Sequence, residues 1–128
     1  MKLLLDTHTL LWAVDDPMHL GPQAVTELQA PTNELLLSAG SIWELAIKVG
    51  AKKLALSLPY RQWILQAISD LGLTILPITV EHANVQTELF FHHRDPFDRL
   101  LVAQSLYEQI AIVSVDPQLD VYGVTRIW

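Results

Sequence analysis

The stretch Arg94-Asp95-Pro96-Phe97-Asp98-Arg99-Leu100-Leu101 has the features of a helix that begins at Pro96. Asp95 is placed to cap this helix, and Pro96 suits the first helical position because its missing N–H would have no partner there. Asp98 lies in the first turn, so the start of the helix presents a carboxylate. The apolar residues that recur at helical spacing, and are expected to face inward, are Phe97, Leu100, Leu101 and Tyr107.

Short apolar segments alternate with amphipathic segments along the rest of the chain. Predicted strands cover residues 2–5, 35–38, 73–76 and 111–115, with a short edge strand at 124–128. Predicted helices lie at 8–14, from Pro22, at 41–49, from Leu58 to 71, and at 79–91 with Val80, Ala83, Leu89 and Phe90 inward. This alternation predicts a three-layer α/β/α sandwich with a central parallel sheet of four to five strands.

Length and composition limit the possible classes of protein. A chain of 128 residues with 51% hydrophobic residues is expected to form a single domain over residues 1–128. The absence of cysteine excludes disulfides and thiol catalysis, and it fits a cytoplasmic location. Asp6 interrupts the apolar start, and no segment reaches the ~18 apolar residues of a membrane span, so we expect neither a secretion signal nor a membrane partner.

The net charge is −6, from 8 basic and 14 acidic residues. This sign disfavours broad electrostatic binding to nucleic acid, because phosphate repels a negative surface. It is compatible with a local acidic pocket that binds cations, and with a basic partner protein.

Four acids are placed to meet at one edge of the predicted sheet. Asp6 directly follows the first strand, Asp116 follows the fourth, and Glu44 lies early in the helix after the second. Asp98 reaches the same edge if its helix runs antiparallel to the strands, as crossover helices do. Oxygen-only sites of this kind suit Mg²⁺ or Mn²⁺, and such ions assist hydrolysis of phosphodiester bonds by water.

Each of these acids also has an ordinary local explanation. Ser41 and Glu44 have the spacing of a capping box, and Asp98 is favoured by the helix dipole. Asp116 precedes Pro117 in a turn, and Asp6 is placed to cap the helix that follows it. Only their shared position at the sheet edge favours a metal site over four separate capping acids.

Other polar residues near these acids have open roles. Thr7 and Ser114 flank two of the acids and either assist the site or bond the backbone. Arg94 and Arg99 either bind phosphate oxygens or balance nearby carboxylates. The pair His92-His93 precedes the helix and either meets substrate or is an inert loop.

Three stretches, taken together and in this order, resemble the PIN-domain nucleases, and more narrowly the VapC-type toxins of bacterial toxin–antitoxin pairs. The C-terminal residues 122–128 fit the same subgroup. The stretches are Leu5-Asp6-Thr7-His8-Thr9-Leu10-Leu11-Trp12, residues 38–48 (Ser-Ala-Gly-Ser-Ile-Trp-Glu-Leu-Ala-Ile-Lys), and residues 93–104 (His-Arg-Asp-Pro-Phe-Asp-Arg-Leu-Leu-Val-Ala-Gln).

The resemblance implies a Mg²⁺- or Mn²⁺-dependent ribonuclease acting on RNA, inhibited by a small antitoxin protein and commonly forming a homodimer. Its acidic motif positions fall on Asp6, Glu44, Asp98 and Asp116 as metal-binding and catalytic residues. The last of these occurs in Ser114-Val115-Asp116, where the family often has Thr-x-Asp.

We therefore expect a metal-dependent endoribonuclease toxin. One rival is a catalytically silent PIN-like scaffold that only binds a partner protein. A second rival, a receiver-type phosphoacceptor domain, is disfavoured because Asp6 is not part of an acid pair, Leu76-Pro77 follows the third strand, and no lysine lies beyond Lys53.

Overall fold

A five-stranded, all-parallel sheet forms the centre of the computed structural model, which describes residues 1–128. The strand order is β3-β2-β1-β4-β5, which confirms the predicted parallel sheet. The strands are β1 (Lys2–Leu5), β2 (Glu34–Ser38), β3 (Thr74–Leu76), β4 (Ala111–Val113) and β5 (Arg126–Ile127).

Helices connect the strands, and each α-helix was predicted near its observed position. No helix combines the length and the apolar character that crossing a membrane would require. Short 3₁₀ helices occupy Pro17–His19 and Pro117–Tyr122. The α-helices are α1 (Thr7–Asp15), α2 (Pro22–Gln29), α3 (Ala39–Gly50), α4 (Tyr60–Leu71), α5 (Val80–Glu88) and α6 (Pro96–Glu108).

The sheet is covered on both faces, as expected for a three-layer sandwich. Successive residues of β1 point to opposite faces because side chains alternate along a strand. Leu3 and Leu5 join the core that contains Trp63 of α4. Leu4 joins the second core, which contains Leu101 of α6. Both faces of the central strand are thus buried, which explains its uninterrupted apolar sequence.

The direction of the connections reverses at β1. From β1 the chain adds β2 and then β3 on one side, whereas β4 and β5 lie on the other. Leu5 is paired with Val113 and with Leu37, so the carboxyl ends of three strands meet there. In open parallel sheets this reversal creates the crevice in which ligands bind.

The start of α6 agrees with the sequence prediction, but one of its apolar positions does not. The Asp95 side chain accepts hydrogen bonds from the backbone N–H of Phe97 (2.8 Å) and Asp98 (3.4 Å). Tyr107 was expected to be buried and is instead half-exposed, because it packs edge-on against the His82 ring rather than entering the core.

The inward face predicted for the helix at 79–91 was wrong except at Leu89, which packs against the second core. Val80 and Phe90 are 82% and 77% exposed, whereas His82 is fully buried. The His82 ring accepts the Thr79 backbone N–H and lies 3.1 Å from Glu108, so both ring nitrogens have partners. A histidine with satisfied nitrogens can occupy a core position that apolar periodicity assigns to other residues.

The start of α3 also differs from the prediction. Ser38, not Ser41, caps the helix by accepting the Gly40 backbone N–H at 3.1 Å. The predicted capping box of Ser41 and Glu44 is therefore absent. The helix begins earlier, and both side chains are buried within it. The local explanation for Glu44 is thereby removed.

Gly40 sets how closely α3 approaches α6. A Cβ at this position would overlap Leu100 Cδ2, whereas a Cβ on Gly50 at the end of the same helix would meet nothing within 4 Å. We expect Gly40→Ala to lower the free energy of unfolding by about 1–3 kcal/mol through overpacking. Gly50→Ala should leave it unchanged or raise it by up to about 1 kcal/mol. Chemical denaturation measures both, and equal effects would contradict the close approach.

Candidate functional site

Asp6 joins the ends of β1 and β4. It is 5% exposed, and its Oδ1 accepts the Thr9 backbone N–H at 2.8 Å, so it caps α1 as the sequence predicted. Its Oδ2 accepts a hydrogen bond from the Ser114 hydroxyl. The Ser114 oxygen also accepts the Asp116 backbone N–H at 3.1 Å. Ser114 therefore links the two acids that follow these neighbouring strands, a role that its sequence position left open.

Glu44 is held from two sides within α3. It is only 4% exposed, and its Oε1 accepts a hydrogen bond of 2.6 Å from the Thr7 hydroxyl. Its Oε2 lies 2.7 Å from Lys48 Nζ, one helical turn further along. Thr7 thus bonds a site carboxylate rather than the backbone. Burial without a capping role indicates that Glu44 is placed for the site and not for the helix.

Asp98 and Asp116 meet across the imidazole ring of His93. The Nε2 atom of His93 lies 3.3 Å from Asp98 Oδ2 and 3.1 Å from Asp116 Oδ2. Ligand atoms of these residues, one from each, lie within 4.8 Å of one another, a spacing compatible with a shared metal ion. Asp116 also caps the short helix at Pro117–Tyr122 through the Gln118 backbone N–H. Sequence reasoning underrated His93, because nothing local distinguishes it from an inert loop histidine.

Burial, together with neighbouring negative charge, raises the pKa of Asp98 to about 7. Burial is the largest cause, followed by the negative charge of Asp95, and the charges of Asp6 and Glu44 add to it. A positive charge on His93 would oppose the shift. Asp98 thus feels the charges of Asp6 and Glu44, and it shares the His93 ring with Asp116. The ligand atoms that come within 4.8 Å of one another belong to His93, Asp98 and Asp116.

Lys48 is the nearest basic side chain of the group. Its burial favours the neutral amine, but the hydrogen bond and charge of Glu44 outweigh this and raise the pKa of Lys48. Asp95 and Asp98 act in the same direction. Lys48 is thus a firmly charged cation at the rim of the acidic group.

The arginines of the opening stretch lie away from the carboxylates. Arg99 is buried and donates hydrogen bonds to the carbonyl oxygens of Phe90, Gln86 and Leu89. It neither binds an exposed phosphate nor pairs with an acid, so both interpretations offered by the sequence were wrong for this residue. Arg94 is exposed and remains available at the surface.

The donor set fits a hard divalent cation. The group contains more carboxylates than positive side chains, and the negative charges of Asp95, Asp6 and Glu44 add to the burial that raises the pKa of Asp98. Carboxylate oxygens without cysteine suit Mg²⁺ or Mn²⁺ better than zinc. The role of Asp6, Glu44, Asp98 and Asp116 as metal ligands stays a prediction that this geometry supports.

Comparison with known families agrees with this arrangement. The sequence matches the family described as PIN domain over residues 3–124. The chain belongs to the PIN domain family. PIN domains are generally nucleases, and they typically use divalent metals. The match includes all four acids of the group.

Solved structures with the same fold include components of toxin–antitoxin complexes. VapBC2 from Rickettsia felis, bound to a promoter DNA fragment, is similar with a TM-score of 0.75 at 16% identity, covering 98% of this chain and 97% of that one. VapBC-1 from nontypeable Haemophilus influenzae has a TM-score of 0.70 at 14% identity, and the match covers 98% of this chain and 96% of that one. FitAcB from Neisseria gonorrhoeae has a TM-score of 0.62 at 18% identity, and the match covers 97% of this chain and 95% of that one. No curated protein sequence matches this PIN domain.

The pKa of Asp98 predicts how the stability of the metal-free protein depends on pH. Because folding raises it from 3.8 to about 7, the folded state binds the extra proton and loses stability as pH rises through this window. We expect Asp98→Asn to melt higher than the wild type in EDTA above this window, by roughly 4 °C for each kcal/mol of repulsion relieved. The difference in melting temperature between Asp98→Asn and the wild type should vanish at a pH below both pKa values of Asp98.

Thermal unfolding across this pH range measures the effect. Asp70→Asn, at an exposed acid of α4, is the matched control and should behave as the wild type. A wild-type protein that is not less stable than Asp98→Asn at high pH would contradict the repulsion.

Proposed function

We propose that this PIN domain is a metal-dependent endoribonuclease and the toxin of a VapC-type toxin–antitoxin pair. The observation that carries the proposal is the contact of His93 with both Asp98 and Asp116, whose ligand atoms lie within 4.8 Å of one another. The charges of Asp6 and Glu44, which act on Asp98, support their assignment to the same site. We further propose that residues 1–128 form one domain. The substrate is RNA, and the reaction is hydrolysis of its phosphodiester bonds.

The four carboxylates are proposed to hold Mg²⁺ or Mn²⁺, directly or through water. When bound, such an ion supplies positive charge to a phosphoryl oxygen and to the attacking water. The protein's own hydrogen bonds orient the carboxylates that would hold the ion. Because Asp6 and Glu44 each accept protein hydrogen bonds on both carboxylate oxygens, their orientation is set before any ligand arrives. Such preorganisation reduces the rearrangement needed during reaction.

Substrate contacts are proposed to be local because the chain as a whole is acidic. Lys48 is charged, half-buried and adjacent to the carboxylates, so it is placed to meet a backbone phosphate. Lys52 and Lys53 lie at the end of α3, and Arg94 is exposed beside α6. Arg99 is removed from this set because its guanidinium is buried among carbonyl groups. RNA binding should therefore depend on divalent cation, which reverses the sign of the pocket.

An antitoxin is the proposed protein partner. The fold is similar to those of VapBC2, VapBC-1 and FitAcB, and the net charge of −6 suits a small basic protein. Assembly as a homodimer and a cytoplasmic location complete the proposal. The acidic group itself is the proposed target for a basic antitoxin segment, since opposite charge favours association.

Cleavage of RNA by purified protein tests the catalytic proposal. Asp6→Asn and Asp98→Asn should each reduce Mg²⁺-dependent cleavage by roughly 100-fold or more, of the order lost with a group that stabilises transition-state charge. Asparagine caps a helix about as well as aspartate, so Asp6→Asn should leave the fold intact. Gel analysis of RNA fragments with Mg²⁺ or EDTA, alongside circular dichroism, measures both effects.

Asp70→Asn again serves as the control and should cleave normally. Undiminished cleavage by both site variants would refute the assignment. A wild-type protein that binds Mg²⁺ and an antitoxin but never cleaves RNA would favour the silent scaffold instead.

A further inference from the structure

His93 is built into the acidic group by its own hydrogen bonds. Its Nδ1 accepts the Asp95 backbone N–H at 3.1 Å, while Nε2 faces Asp116 at 3.1 Å and Asp98 at 3.3 Å. The side chain is only 14% exposed. The ring therefore has a partner on both nitrogens, and it joins two acids that come from different elements.

The bond from Asp95 decides which nitrogen carries the ring proton. A backbone N–H always donates, so Nδ1 must offer its lone pair and cannot hold a proton. The proton then lies on Nε2, which donates to the Asp116 carboxylate at 3.1 Å and lies 3.3 Å from the Asp98 carboxylate. Direct ligation of a metal through Nε2 would need a bare nitrogen, and this would require the ring to give up the Asp95 bond.

A second set of contacts fixes the backbone that carries this ring. The His93 backbone N–H donates to the Tyr122 hydroxyl oxygen at 2.9 Å, and that hydroxyl donates to the Phe90 carbonyl at 2.9 Å. Arg99 donates to the same carbonyl at 2.8 Å and to Tyr122 at 3.3 Å. Residues 89–95 form no helix or strand, so these two side chains supply the order that regular structure would otherwise provide.

We propose that His93 is a positioning residue that spans Asp98 and Asp116 through its Nε2–H and fixes their separation for the cation, without itself being a ligand. This rests on the proposed metal site but adds a role for a residue outside the four acids. Groups that hydrogen-bond to metal ligands orient them, and losing one typically costs about 10–100-fold in metal affinity. Arg99 and Tyr122 act on the site only through His93.

Binding of the metal alone, measured by calorimetry, tests the proposal without any RNA. His93→Ala should weaken Mg²⁺ binding by about 10–100-fold. It should weaken Ni²⁺ binding by a similar factor, because no metal–nitrogen bond is lost. His93→Gln, whose amide can still donate, should recover part of the affinity. Tyr122→Phe, which removes the hydroxyl that holds the His93 backbone, should show a smaller loss.

His92→Ala is the matched control, because His92 is exposed and its ring lies beside the rings of Phe90 and Tyr122. It should bind both metals as the wild type does. Unchanged Mg²⁺ affinity in His93→Ala would overturn the proposal. A loss much larger for Ni²⁺ than for Mg²⁺ would also overturn it, because imidazole ligation favours Ni²⁺.

Proton–nitrogen NMR correlation of the wild-type imidazole provides a test that needs no variant to fold. We expect a protonated Nε2 and a bare Nδ1, both without metal and with saturating Mg²⁺. A bare Nε2 in the Mg²⁺-loaded protein would identify His93 as a ligand and end the positioning role. Absence of any Mg²⁺ binding by the wild type would instead defeat the proposed function, while the ring assignment would still be readable.

Discussion

Repulsion between carboxylates is the constraint on which the site depends. The parallel sheet brings the carboxyl ends of β1, β2 and β4 together, and acids follow at this edge. Asp98 arrives from the opposite direction on α6. Packing of the two cores forces these groups together, because separating them would expose apolar side chains on both faces of the sheet. The burial of Asp98, with the nearby negative charges, raises its pKa.

The fold limits this repulsion with neutral and cationic donors rather than with a layer of basic residues. Hydroxyls of Thr7 and Ser114 each donate to one carboxylate, and Lys48 pairs with Glu44. His93 occupies the space between the remaining two acids. Each donor holds a carboxylate in a fixed orientation. The same contacts that make the cluster tolerable therefore also preorganise it for a cation.

The two arginines near the start of α6, Arg94 and Arg99, have different environments. Arg94 stays at the surface, whereas Arg99 satisfies carbonyl groups of the irregular segment after α5. Buried carbonyls need partners, and this segment has no strand or helix to supply them. Arg99 thereby acts as a structural support for the segment that ends in His93.

Sequence alone determined the parallel sheet, the positions of its helices and the edge on which the acids lie. Those features follow from local periodicity and from the order of apolar segments, which are properties of neighbouring residues. It failed for the cap of α3, the inward face of α5 and the partners of Arg99 and His93. The cap of α3 is a local contact, between Ser38 and Gly40, and it lies three residues before the predicted cap. Tertiary structure decided the other features because they depend on groups far along the chain, such as Tyr122 or Glu108, and no local pattern records which distant atom will satisfy a polar side chain.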